Sequence, residues 1–65
     1  MLFRVYVEKE LVMEKVRLIK GTQEGVALKD DKGISQVIDG VYIAEMEGVA
    51  GYVILHHGQP VGQGS

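Results

Sequence analysis

Short apolar segments that alternate residue by residue, cut by glycine and charged turns, constrain this chain more than any other feature. The clearest are LFRVYV at 2–7, GVALK at 25–29 and GYVIL at 51–55. In the first, Phe3, Val5 and Val7 share one parity, and Arg4, Tyr6 and Glu8 share the other. Successive strand side chains point to opposite faces, so one set meets a core and the other meets solvent. Val and Tyr suit such a pleated, half-buried surface. In a chain of 65 residues, segments of this kind leave little room for catalytic machinery.

The polar stretch Glu8-Lys9-Glu10 reads as a tight connection. The segment LVMEKVRLIK at 11–20 is open between two readings. Val12, Val16 and Ile19 follow helical spacing, acidic residues precede basic ones, and Gly21 could cap a helix. Against this, Val12, Val16 and Leu18 share a strand parity while Leu11 and Met13 share the other, the change of parity that a bulge produces. The strands on either side favour strand. Gly21 to Gly25 is a loop, Val26 and Leu28 then face opposite to Ala27 and Lys29, and Asp30-Asp31-Lys32-Gly33 is the strongest turn signal. Within ISQVIDGVYIAEM, Asp39-Gly40 could be a hairpin turn, but a bend in one long strand is preferred. Glu47-Gly48 turns the chain into a last strand, VAGYVILHH. Residues 58–65, GQPVGQGS, read as a disordered tail. The expectation is a single all-β domain over 1–57: a small SH3-like or Sm-like antiparallel barrel of five to six short strands.

A domain this small buries only about 60% of its unfolded surface. Without cysteine it has no disulfide and no thiolate ligand. Association is the remaining remedy, so a homodimer or larger is expected, with the excess of the 46% apolar content covering an interface. The net charge of −2 argues against a basic footprint for RNA, DNA or an anionic membrane. No apolar run approaches the roughly 20 residues that span a bilayer, and the start lacks a signal-peptide layout. The cytoplasm is the expected location.

Nucleophilic catalysis needs a nucleophile, a base and an orienting group. The hydroxyls of Ser35, Ser65 and Thr22 and the imidazoles of His56 and His57 suggest no triad, so no enzyme is expected. His56-His57 is the obvious metal candidate. As strand neighbours the two point to opposite faces and cannot chelate one ion within a chain, although His56 could meet its mate across a two-fold axis. Two solvated histidines at a strand end are the plainer reading. Asp30-Asp31 lacks the oxygens of a calcium loop, and no phosphate-binding glycine spacing occurs. Tyr6, Tyr42 and Tyr52 could stack bases or meet a protein partner, but they are not interleaved with basic residues. Met13 and Met46 read as core filling.

VYVEKELVMEKVRLIK, followed by GVALKDDKG and then GYVIL, resembles the CooT family over about residues 1–55. These are very small proteins, many catalogued as predicted RNA-binding, with one branch that accompanies carbon monoxide dehydrogenase and binds nickel. The resemblance implies a dimerising SH3-like or Sm-like small barrel, and a nickel site built around a cysteine directly after the initiator methionine. Here position 2 is Leu2, so the thiolate on which tight nickel binding depends is missing. Met1 is the family-position ligand left for Ni(II), with His56 or His57 as possible helpers. The expected role is non-catalytic, in handling nickel for carbon monoxide dehydrogenase or its maturation proteins. The alternative is an RNA- or protein-binding module using Tyr6, Tyr42 or Tyr52.

Overall fold

A computed structural model describes residues 1–59. Among these residues six strands follow one another without a helix: β1 Phe3–Val7, β2 Glu10–Gly21, β3 Gly25–Asp30, β4 Ser35–Asp39, β5 Val41–Glu47 and β6 Tyr52–His57. They form one sheet in the order β4-β3-β2-β1-β6-β5. The alternation read from the sequence sets its two faces. Val5, Val16, Val26, Leu28, Val41, Val53 and Leu55 are buried together on the inner face, and among the described residues no polar side chain is buried with them. Phe3, Val7, Val12, Met13, Ile19 and Ile38 pack around this cluster.

The segment at 11–20 is strand, with the bulge that its change of parity indicates. Val16 lies opposite Phe3 while Met13 lies opposite Val5, so three residues of β2 match two of β1. Lys15, inside the extra stretch, has a left-handed φ of 55°. A second irregularity separates Val5 from Tyr6, and a third lies between Val16 and Leu18 where β2 pairs β3. Each extra residue shifts the inward set by one place. Met13, Val16 and Ile19 therefore all reach the core at a spacing of three, which is why the segment imitates helical periodicity.

The turns lie where glycine and short polar residues placed them. In the β3–β4 turn, Asp30 Oδ1 accepts from the Lys32 and Ile34 amides at 2.9 Å. Thr22 Oγ1 accepts from the Gly25 amide at 3.0 Å and donates to the Gly25 carbonyl at 3.1 Å, which closes the β2–β3 loop. The last strand begins at Tyr52, later than VAGYVILHH suggested, because residues 48–51 form the β5–β6 turn with Gly51 N–H on the Glu47 carbonyl.

Gly40 decides the topology. Its φ of +72° is open to glycine at no steric cost. The bend there is not a hairpin: β4 pairs β3, β5 pairs β6, and the chain crosses from one edge of the sheet to the other. The Gly40 amide donates to the Glu24 carbonyl at 2.7 Å and the Gly58 amide to the Gly40 carbonyl at 2.8 Å, which draws both edges together at this end.

The expected antiparallel barrel needs two corrections. β1 and β6 run parallel, with Arg4 beside Tyr52 and Val7 beside Leu55. Residue parity reports which face a side chain takes and carries no strand direction, so the sequence pattern could not show this. The sheet is also curled rather than closed, because no ladder joins β4 to β5 among the described residues. Of the tail read at 58–65, residues 60–65 lie outside the described residues.

Candidate functional site

The parallel pairing of β1 and β6 separates the residues that the sequence offered as metal ligands. Met1 precedes the start of β1, at the end where the Arg4 amide donates to the Gly51 carbonyl at 2.9 Å. It is 82% exposed. His56 and His57 sit at the far end of β6, beside Glu8. From Arg4 to Glu8 the extended chain covers about 13 Å, and Met1 lies beyond that span. Within one chain, Met1 and the two histidines do not meet.

A different partner meets the histidines, and it was not legible in the sequence. Glu8 occupies the β1–β2 turn with a left-handed φ of 57°. Its amide donates to the Leu55 carbonyl at 2.7 Å, and its Oε2 accepts from the His57 amide at 3.1 Å. Its Oε1 lies 3.8 Å from His56 Nε2, an ion pair only when the imidazole carries a proton. The His56 ring stands edge-on to Tyr42, centroids 6.0 Å apart at 77°. Glu8 and His56 supply two donors on the outer face. Among the described residues, no three His, Asp or Glu side chains converge as a metal group.

The three tyrosines share the outer face of β1, β6 and β5. Tyr6 lies beside Ile54, Arg4 beside Tyr52, and His56 opposite Tyr42. Tyr6 and Tyr52, with Glu8, Lys9 and Ile54, line a shallow depression of about 350 Å³. Tyr42 stands apart, against His56. The Tyr52 hydroxyl donates to Glu45 Oε2 at 2.8 Å. That bond and the adjacent Glu45 charge raise the Tyr52 phenol above its ordinary 10.0, with Glu47 adding to the effect.

A second cleft, of about 270 Å³, lies where β4 hands over to β5. Thr22, Gly25, Gly40 and Gly58 contribute to its wall. The glycines that punctuate the sequence were its only signal there.

No protein-family model matches the sequence, and no curated protein matches it. The crystal structure of "putative CooT from Carboxydothermus hydrogenoformans" superposes with a TM-score of 0.79. The fold is CooT-like. The match covers 91% of this chain and 100% of the other, at 24% sequence identity. The likeness of fold thus takes in nearly the whole chain, in agreement with the resemblance noted in the sequence over about residues 1–55.

Proposed function

We propose that this chain is a non-catalytic, homodimeric accessory protein of the CooT kind, cytoplasmic and acting in nickel handling beside carbon monoxide dehydrogenase. The observation that carries this reading is the agreement of fold across nearly the whole length of both chains. The donors present fit only weak nickel binding. At the family position they are the Met1 amine, its thioether and the neighbouring backbone amides, with no thiolate among them. His56 and His57 lie at the other end of β1 and β6 in the same chain, so they assist Met1 only across a dimer.

Native mass spectrometry of the protein with and without Ni(II) tests the reading, together with a variant carrying one cysteine inserted between Met1 and Leu2. The expected result is a dimer that takes up nickel weakly and, with the insertion, binds it at least about tenfold more tightly by calorimetry, as a thiolate ligand warrants. Unchanged affinity after the insertion would remove the metal role of the N-terminus.

A second reading is supported by Tyr6, Tyr52 and Ile54 lying together in one open depression. It makes the outer face a partner-binding surface. Glu8, Glu45 and Glu47 on or beside this face favour a protein partner over RNA. Salt-dependent binding of single-stranded RNA that is lost on Tyr6→Ala would reverse that preference.

A further inference from the structure

The two edges of the sheet are guarded differently. β5 carries Glu45 and Glu47, and charged side chains on an edge strand oppose pairing with another chain. β4 is uncharged from Ser35 to Ile38, and the charge-free stretch extends back to Gly33. Val37, on its outer face opposite Ala27, is 60% exposed.

The hydrogen bonds show which groups of β4 lack a partner. The Asp30 amide donates to the Ile34 carbonyl at 3.0 Å, toward β4, while the Asp31 amide donates to the Lys15 carbonyl at 3.0 Å, toward β2. Neighbouring residues of an antiparallel strand bond alternately to its two sides. Leu28 and Val26 therefore also bond toward β4, and their partners Gln36 and Ile38 bond back. Ser35, Val37 and Asp39 turn their N–H and C=O groups to the open edge, where no strand lies among the described residues.

We propose that this edge is a self-association surface, on which a second copy lays its own β4 antiparallel about a two-fold axis through Val37. The proposal deepens the homodimer reading above and rests on it. In this register Val37 faces the partner's Val37 and Ser35 faces the partner's Asp39, so the residues with outward backbone groups meet one another. A shift by one residue would oppose inward groups and set inner-face side chains against outer-face ones. No like charges are opposed. Lys29 stands beside Ser35 on the outer face, in line with the partner's Asp39 about 10 Å away across two strand spacings. The small Ser35 side chain leaves that path open to an ion pair, and the exposed Val37 becomes the covered centre.

Sedimentation equilibrium of the full chain tests this, with circular dichroism confirming the fold of each variant. The wild type is expected to be a dimer. Val37→Lys and Val37→Glu, each placing like charges at the axis, should raise the dimer Kd at least about tenfold, and their equimolar mixture should restore a dimer because opposite charges then meet. Ser35→Asp, which sets a carboxylate against the partner's Asp39, should weaken the dimer as well. A monomeric wild type overturns both this proposal and the homodimer reading. Dimers that survive all three substitutions overturn the β4 assignment and leave the homodimer standing. Dissociation without rescue in the mixture overturns the register centred on Val37, and so would capture of an extended peptide by a monomer at this edge.

Discussion

Single positions in this chain are held by contacts of very different reach. Gly25 opens β3 against Asp39, and a Cβ placed on it would overlap the Ile38 carbonyl oxygen and lie 2.9 Å from Asp39 Cα. Both neighbours are backbone, so neither can turn aside. Gly25→Ala should cost about 1–3 kcal/mol, the range for overpacking, and lower Tm by several degrees in calorimetry; an unchanged Tm would show that β4 shifts freely. Tyr52 offers a spectroscopic handle on the outer face. Its phenol is raised by the Glu45 bond and charge, so the folded state holds that proton more firmly than the unfolded chain does. The resulting stabilisation is complete below the unfolded value of 10.0 and is lost as pH rises through the folded one. Glu45→Ala should return the Tyr52 titration, followed by its ring resonances in NMR, toward 10.0. The turn that Asp30 closes was visible in the run Asp30-Asp31-Lys32-Gly33. The Glu8 contact to His57 was not, because it joins residues 49 apart and depends on a left-handed turn at Glu8 that no local pattern marks.

Among the elements, β2 shows best how sequence and structure part company. Its inward residues fall at intervals of three because bulges interrupt the ladder, and a spacing of three is common to helices and bulged strands. The neighbouring strands resolved what local periodicity left open: β2 lies between β1 and β3 and completes both ladders. Lys15 carries the strain of this arrangement, with its φ of 55° in a region that costs an L-residue about 1 kcal/mol or more. Lys15→Gly should therefore stabilise the protein by roughly 0.5–1 kcal/mol after glycine's entropy is counted, and Lys15→Val should destabilise it. Urea titration reads both. If Lys15→Gly lowers the midpoint, the Lys15 side chain contributes more than the backbone strain costs. The bend at Gly40 was legible for a related reason. Glycine there permits a positive φ, and the inward set steps from Ile38 to Val41 across it, a change of parity at the bend. The parallel course of β1 and β6 follows from that crossing and was invisible in either strand taken singly.

At the scale of the molecule, a core of seven buried apolar side chains among the described residues and an open sheet set the limits on function. The alternation of the segments led to an all-β domain, and the diffuse likeness over residues 1–55 led to a CooT-like fold, because both depend on many positions at once. A ligand set depends on a few side chains meeting in space, and here strand direction sends Met1 and the His56-His57 pair to opposite ends. That separation makes the two candidate metal positions thermodynamically distinguishable. A ligand that binds only the folded state stabilises it by RT ln(1 + [L]/Kd), about 2.7 kcal/mol at one hundred times Kd. A domain of this size gains about 4–8 °C in Tm per kcal/mol. With a cysteine inserted after Met1, saturating Ni(II) should thus raise Tm by roughly 10–20 °C, and His56→Ala with His57→Ala should leave that gain in place unless a dimer brings the two ends together. Without the insertion the shift should be a few degrees at most. A large shift in the unaltered chain that disappears with the histidines would instead move the metal to the Glu8–His56 end, where the carboxylate and imidazole already stand 3.8 Å apart.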